Sequence, residues 1–139
     1  MIKKFQIRVS GISFIKKKLI LLTHKKKDRC YWVFPGGRVE FAEKAEEAVI
    51  REYREELNVK AKVVRFLFYN ESLPPDYPVH SLNLFFLVKP ITTDIRLEKN
   101  GVIQNVQLFE KNKIKDILLF PKINNKIMEN FEKWVEDSK

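Results

Sequence analysis

Hydrophobic residues recur with a period of two in some stretches of the chain and with a helical period in others, and each change of period marks a change of element. Phe5, Ile7 and Val9 alternate with polar residues, which predicts a strand over Phe5–Ile15 with Gly11 as a bulge. Lys16–Lys18 turns into a second strand, Leu19–Thr23, and Tyr31–Phe34 makes a short third strand. From Glu43 to Leu57 there is no Gly or Pro, and Ala, Glu and Arg are good helix formers. Within that stretch Ala45, Ala48, Val49 and Tyr53 recur every three to four residues and mark a buried helical stripe. Asn58 stands where a helix end favours the left-handed conformation.

Downstream, Ala61–Tyr69 is β-rich, and Leu73–Pro78 is a loop because its prolines cannot serve a central strand. His80–Val88 reads as a largely buried strand, and Ile103–Phe109 as another. A short helix is expected over Lys113–Leu118, ending before Pro121. A longer one is expected over Ile123–Glu136, with Ile123, Ile127, Phe131, Trp134 and Val135 as its apolar stripe. No internal repeat, low-complexity tract or linker interrupts the pattern, so residues 1–139 are expected to form one domain. Strands on both sides of one long helix, with helices at the end, predict an α/β fold: a mixed sheet sandwiched by helices.

Composition narrows the class. A hydrophobic content of 45% with 11 Phe belongs to a globular protein with a proper core. No apolar run is long enough to span a bilayer, and the basic start leads into a strand pattern instead of a signal peptide. The lone Cys30 excludes an internal disulfide and suits a reducing compartment, so a cytoplasmic location without a membrane partner is expected. Placed before Tyr31 and Trp32, Cys30 reads as an inert strand-edge thiol. The net charge is +9, with lysine runs at Lys16–Lys18 and Lys25–Lys27 that read as solvated hairpin ends. They carry no interleaved aromatics and no nucleic-acid motif, so nucleic acid enters only as a substrate, drawn like other polyanions by the basic surface.

Against this basic background, Gly37–Val59 packs in seven glutamates. A turn of about 100° per residue places Glu52, Glu55 and Glu56 on one helical face. Like charges at these spacings cost roughly 0.2–0.5 kcal/mol per pair, so helix stability alone does not select them. A hard divalent cation reverses the sign, because clustered carboxylates are its natural ligands. The plainer reading is a solvated acidic face partnered by Lys44, Arg51 and Arg54. It is outweighed by the coincidence of the Gly36–Gly37 pair, the spacing to Glu43 and the core Arg51-Glu52-Tyr53-Arg54-Glu55-Glu56.

Glycine, five residues, Glu43, seven residues, then Arg-Glu, two residues and Glu-Glu is the pattern of the Nudix box, and the chain resembles a Nudix hydrolase. The resemblance implies a Nudix-type α/β/α sandwich and an enzyme that uses Mg²⁺ or Mn²⁺ to cleave a diphosphate linked to another group, often a nucleoside. It implies that Glu52, Glu55 and Glu56 bind metal, that the Gly36 carbonyl joins them, and that Arg51 orients a glutamate. Glu43 and Gly37 take supporting roles, and Glu40, outside the strict pattern, a weaker one. Glu52 is the first candidate for deprotonating the attacking water.

Tyr53 replaces a usually aliphatic residue, with its hydroxyl expected to reach outward, and Asn58 replaces the last glycine. Many members bring a further glutamate from a later loop. Asp94, Glu98 and Glu110 are available for it, and Gln104 and Asn105 fall where acidic residues would be unsurprising. For substrate binding the candidates are Trp32 and, on the proline-rich loop, Tyr77, among a wider set of aromatics (Phe14, Phe68, Tyr69 and Phe86). His80 reads as a structural strand histidine.

The leading substrate class is a nucleoside diphosphate derivative, such as the nucleotide sugar ADP-ribose, or a nucleoside triphosphate. Two further readings stay open: a hydrolase of dinucleoside polyphosphates or RNA 5′ ends, and a non-catalytic nucleotide-binding module. Family members are often homodimers, and a homodimer is compatible with this sequence.

Overall fold

The computed structural model describes residues 3–26, 29–92 and 106–139. In chain order these form β1 (Phe5–Ile12), β2 (Phe14–Ile15), β3 (Lys18–Lys26), β4 (Arg29–Val33), β5 (Gly36–Arg38) and α1 (Ala45–Leu57). There follow β6 (Ala61–Ser72), β7 (His80–Pro90), β8 (Val106–Phe109), α2 (Lys111–Ile114), β9 (Leu119–Phe120) and α3 (Asn124–Asp137). One mixed sheet has the order β5-β1-β7-β6, with β1 and β7 parallel and the other pairs antiparallel. The second has the order β2-β3-β4-β9, with β8 also paired to β3. Among the described residues no helix is long and apolar enough to cross a membrane.

The apolar runs of β3 and β7 explain the layering. Strands buried on both faces read as continuous hydrophobic stretches, because successive side chains point opposite ways. Leu19, Leu21, Phe85 and Leu87 face one core, completed by Ile127, Phe131 and Trp134 of α3. Ile20, Leu22, Phe86 and Val88 face the other, completed by Ala48, Val49, Tyr53 and Leu57 of α1. The sheets therefore lie between helices, as the α/β/α expectation requires. Both helical stripes read from the sequence are the stripes buried here. Asn58 closes α1 at φ 53° and ψ 38°; its N–H donates to the Arg54 carbonyl and the Val59 N–H to the Tyr53 carbonyl, so the left-handed end is present without glycine.

Four local expectations change. The strand expected over Phe5–Ile15 breaks at Ser13, where the chain leaves the first sheet and enters the second. Gly11 is not a bulge: the β1–β7 register runs through it unbroken, and the irregularities fall in β6, between Val63 and Arg65 and between Phe66 and Phe68. Gly36 and Gly37 lie in the short strand β5, paired with Ser10 and Val9, and not in an open turn. The short helix occupies Lys111–Ile114, because the Asn124 amide donates to the carbonyls of Ile114 and Ile117 and so ends it. Leu119 and Phe120 then pair with β4. Of the strand expected over Ile103–Phe109, the part before Val106 lies outside the described residues, as do Asp94, Glu98, Gln104 and Asn105.

Gly11 is required by packing. A Cβ there would fall inside the ring of Tyr53, which is fully buried and hydrogen-bonded through its hydroxyl to Ser13 Oγ at 2.6 Å. The Tyr53 hydroxyl therefore points inward, not out, and the larger ring is accommodated by removing a side chain from β1. We expect Tyr53→Phe to lose about 1–2 kcal/mol by orphaning the buried Ser13 hydroxyl. Gly11→Ala should lose about 1–3 kcal/mol through overpacking. Urea unfolding midpoints check both, and a Gly11→Ala protein as stable as the parent would refute the packing account.

Candidate active site

The acidic face of α1 is pressed against the glycine strand. A Cβ on Gly37 would meet the Glu52 carboxylate, so the missing side chain makes the space in which that carboxylate sits. A Cβ on Gly36 would strike the Val9 carbonyl and the Ser10 backbone. The close approach that these glycines allow is thus to β1 on one side and to Glu52 on the other. Glu56 accepts a hydrogen bond from the Gly36 N–H at 2.8 Å, which ties the last turn of the helix to β5.

Arg51 gathers the remaining acids. Its Nε and Nη2 donate to the two oxygens of Glu43 at 2.7 and 3.0 Å, a bidentate pair. Nη1 donates to Glu52 at 2.9 Å and Glu55 at 3.2 Å, and Nη2 also reaches the Arg38 carbonyl at 3.1 Å. Glu43 in turn accepts from the Glu40 N–H at 3.1 Å, while the exposed Glu40 carboxylate stands 3.8 Å from Arg51. The sequence suggested that Arg51 orients one glutamate; it organises three.

The electrostatics separate these acids. The Arg51 guanidinium holds the Glu43 carboxyl below the usual range, and Glu43 raises Arg51. Burial pushes Glu56 up to about 8, opposed by its bond from Gly36 and reinforced by Glu52. Burial also raises Glu52, against the pull of Arg51. Among the described residues no three His, Cys, Asp or Glu side chains converge as a preformed cage, since Arg51 bridges Glu52 and Glu55. The donors still suit a hard divalent cation: carboxylate oxygens gathered beside Gly36 and Gly37, and a buried acid that resists ionisation until a positive charge joins it.

Two clefts open on this face. One, of about 440 Å³, reaches from Gly36 and Glu56 past Arg8 and His24 to Tyr31, Tyr77 and Phe120. The other, of about 760 Å³, is bordered by Arg51, Glu52 and Glu55 with Arg38, Phe5 and Phe41. In the first, the rings of Tyr31 and Tyr77 meet Phe120 edge-on at 5.1 and 6.3 Å. The floor is polar: Gln6 donates to Ser81, and the Asn83 amide donates to Asn70 and Ser72. Burial and then the Arg8 charge lower His24, favouring its neutral ring.

Of the expected substrate residues, Tyr77 lines the cleft and Trp32 does not. Trp32 packs edge-on against Phe109 at 4.8 Å, in the core on the far side of β4. Its neighbour Tyr31 takes the cleft face, as strand alternation dictates. Phe14 and Phe68 pack with Phe131, Phe85 and Trp134, and Phe86 belongs to the α1 core. Tyr69 is exposed on β6. His80 pairs with Glu71 at 3.0 Å, Glu110 lies 3.9 Å from Lys18 away from both clefts, and Cys30 is exposed. Gln6, Arg8, His24, Ser81 and Asn83 were not expected. A signal existed for two of them: Ser81 and Asn83 are buried polar residues on the same strand face as Phe85.

Comparison with known proteins agrees with this geometry. The sequence profile of the NUDIX domain matches residues 4–131. The ADP-ribose pyrophosphatase of Methanocaldococcus jannaschii is 26% identical over 132 residues, covering 92% of this chain and 73% of that protein. The 8-oxo-dGTP diphosphatase of Buchnera aphidicola is 31% identical over 78 residues, covering 56% of this chain and 60% of that protein. Among solved structures, the MutT protein of Methanosarcina mazei superposes with a TM-score of 0.77 at 21% identity, covering 100% of this chain and 99% of that one. The MutT NUDIX hydrolase of Burkholderia pseudomallei gives 0.76 at 17% identity, covering 91% and 98%. At these identities the superpositions establish the fold.

A buried carboxyl with a raised pKa makes stability pH-dependent in a fixed direction. Folded Glu56 keeps its proton up to about 8, whereas the unfolded chain releases it near 4.5. Between those values the folded state binds more protons, so stability falls as pH rises, by up to about 1.4 kcal/mol per unit. Glu52 acts in the same sense, and Glu43 in the opposite sense only at lower pH. In chelator, the urea midpoint should therefore drop from pH 5 to pH 8, and Glu56→Gln should flatten that slope. An equal slope in the variant would show that Glu56 is not the buried acid responsible.

Proposed function

The chain belongs to the NUDIX family, hydrolases of phosphorus-containing acid anhydrides, and we propose that it is a metal-dependent enzyme cleaving the diphosphate of a nucleoside diphosphate derivative. A nucleotide sugar of the ADP-ribose type or a nucleoside triphosphate is the substrate class in view, consistent with the names of its relatives. The observation that carries this reading is the placement of Glu52, Glu55 and Glu56 where an aromatic-walled cleft and a second, charged groove meet.

In this reading Glu52, Glu55, Glu56 and the Gly36 carbonyl would hold Mg²⁺ or Mn²⁺. Such an ion, once bound, neutralises diphosphate oxygens and makes a coordinated water more acidic. Arg51 has an anchor apart from these acids, since its bidentate pair with Glu43 involves neither Glu52 nor Glu55. Glu52 is the candidate base, its affinity for a proton raised by burial. Water oxygen bonds to phosphorus, the bridging P–O bond breaks, the water proton passes to Glu52, and the leaving phosphate carries off the electron pair. Tyr31, Tyr77 and Phe120 offer ring faces and edges to a base.

A second reading, hydrolysis of RNA 5′ ends or dinucleoside polyphosphates, is favoured by the net charge of +9. One experiment addresses both. Phosphate or nucleotide release is followed from ADP-ribose, NADH, Ap4A, nucleoside triphosphates and triphosphorylated RNA, with Mg²⁺ and with Mn²⁺, beside Glu55→Gln and Glu56→Gln. Turnover of a small nucleotide should be lost in chelator and should fall by about 100-fold or more in either variant. Salt-sensitive turnover of RNA alone would install the second reading. Tight nucleotide binding with no turnover of any compound would leave a binding module.

A further inference from the structure

Arg8 is half-buried on β1, close enough to Glu52 and Glu56 for its charge to act on both. It lines the 440 Å³ cleft beside Gly36 and Glu56, and makes no hydrogen bond or ion pair with any described residue. Charged side chains so placed are normally paired. Its position is central. Burial dominates at Glu52 and Glu56, which it raises, and at His24, which it lowers; the Arg8 charge acts on all three as well, always downward.

The neighbouring strand compounds the anomaly. In the β1–β5 register Arg8 lies directly opposite Arg38. Residues opposed across antiparallel strands share a sheet face, and like charges there destabilise the pair. Arg38 also borders the second groove, beside Glu40 and Phe41. Gln6 lines both clefts, so the two arginines stand where the clefts adjoin. A sheet selected for stability alone would not oppose two arginines at an edge strand. An oxyanion seated against both reverses the sign, as a cation does for the acids of α1. A diphosphate compound supplies the negative charge that the arginines require within reach of the carboxylates that require the cation.

We infer that Arg8 and Arg38 form a phosphate seat at the junction of the two clefts, holding the nucleoside-bound phosphate while the neighbouring one is attacked. The inference rests on the nucleotide hydrolase reading for its choice of probe, and its test does not depend on turnover. Arg8 supplies planar paired donors facing the cleft, and Arg38 supplies the outer charge.

The experiment measures ADP and adenosine binding calorimetrically in chelator, for the parent, Arg8→Gln, Arg8→Lys and Arg38→Gln. The parent should bind ADP roughly tenfold or more tightly than adenosine. Arg8→Gln should weaken ADP by about tenfold while leaving adenosine within about twofold. Arg8→Lys should recover part of the loss, and Arg38→Gln should lose less. Without ligand, Arg8→Gln should melt no lower than the parent, because it removes a cross-strand repulsion. The proposal is overturned if the parent shows no preference for ADP, if Arg8→Gln binds ADP like the parent, or if it weakens both ligands equally. Hydrolysis failing in the substrate panel would leave a positive result here intact, and a negative result here would leave metal-dependent hydrolysis standing.

Discussion

The hydrogen bond from the Gly36 N–H to Glu56 is the contact on which the site's arrangement depends. It fixes the end of α1 to β5, and β5 is held in turn by β1, where the Val9 carbonyl lies too close to Gly36 for any side chain between them. With that end fixed, the turn before it delivers Glu52 into the space above Gly37, and Arg51 falls between Glu43, Glu52 and Glu55. Helix position, strand position and carboxylate position are therefore one constraint. A helix carrying so many like charges would not hold this pose by propensity; burial of Ala48, Val49, Tyr53 and Leu57 on its opposite face supplies the driving force.

Charge is sorted by element. Acids come from α1 and the loop before it, while Arg8 and Arg38 come from β1 and β5, and the two sets meet around the glycines. Arg51 neutralises part of the acid set from within, and Glu43 anchors it there. Glu56, the most deeply withdrawn of the acids, accepts its hydrogen bond from a backbone amide, and the Arg8 charge acts on it from the cleft. The site is thus partly balanced by its own residues.

Much of this was legible in the sequence. Helical periodicity located α1 and α3 to within two residues, because long stripes of apolar residues have few other ways to be buried. The acidic residues could be named because their spacing is unfavourable for a bare helix. The rest was hidden for identifiable reasons. Trp32 was expected from the sequence and Tyr31 was not, but parity decides which of two adjacent strand residues faces a cleft, and parity depends on which sheet face the strand presents. Gly11 read as a bulge because its constraint comes from Tyr53, distant in sequence and visible only once α1 is packed on β1. Arg8 and Arg38 were not expected from the sequence, because only strand pairing sets them opposite each other. Propensity could not divide Phe5–Ile15 at Ser13, since the division serves to pass the chain between sheets.

Gly11 and Tyr53 share a single volume, and this makes the route between sequences directional. A lineage that shortens Tyr53 to an aliphatic residue leaves room into which a β1 side chain can later grow. A lineage that first enlarges Gly11 meets the full ring and must pass through a damaged intermediate. The two positions are therefore coupled in history as well as in space. A relative carrying an aliphatic residue at the helix position should be free of the glycine on the strand, and one that keeps the tyrosine should be bound to it.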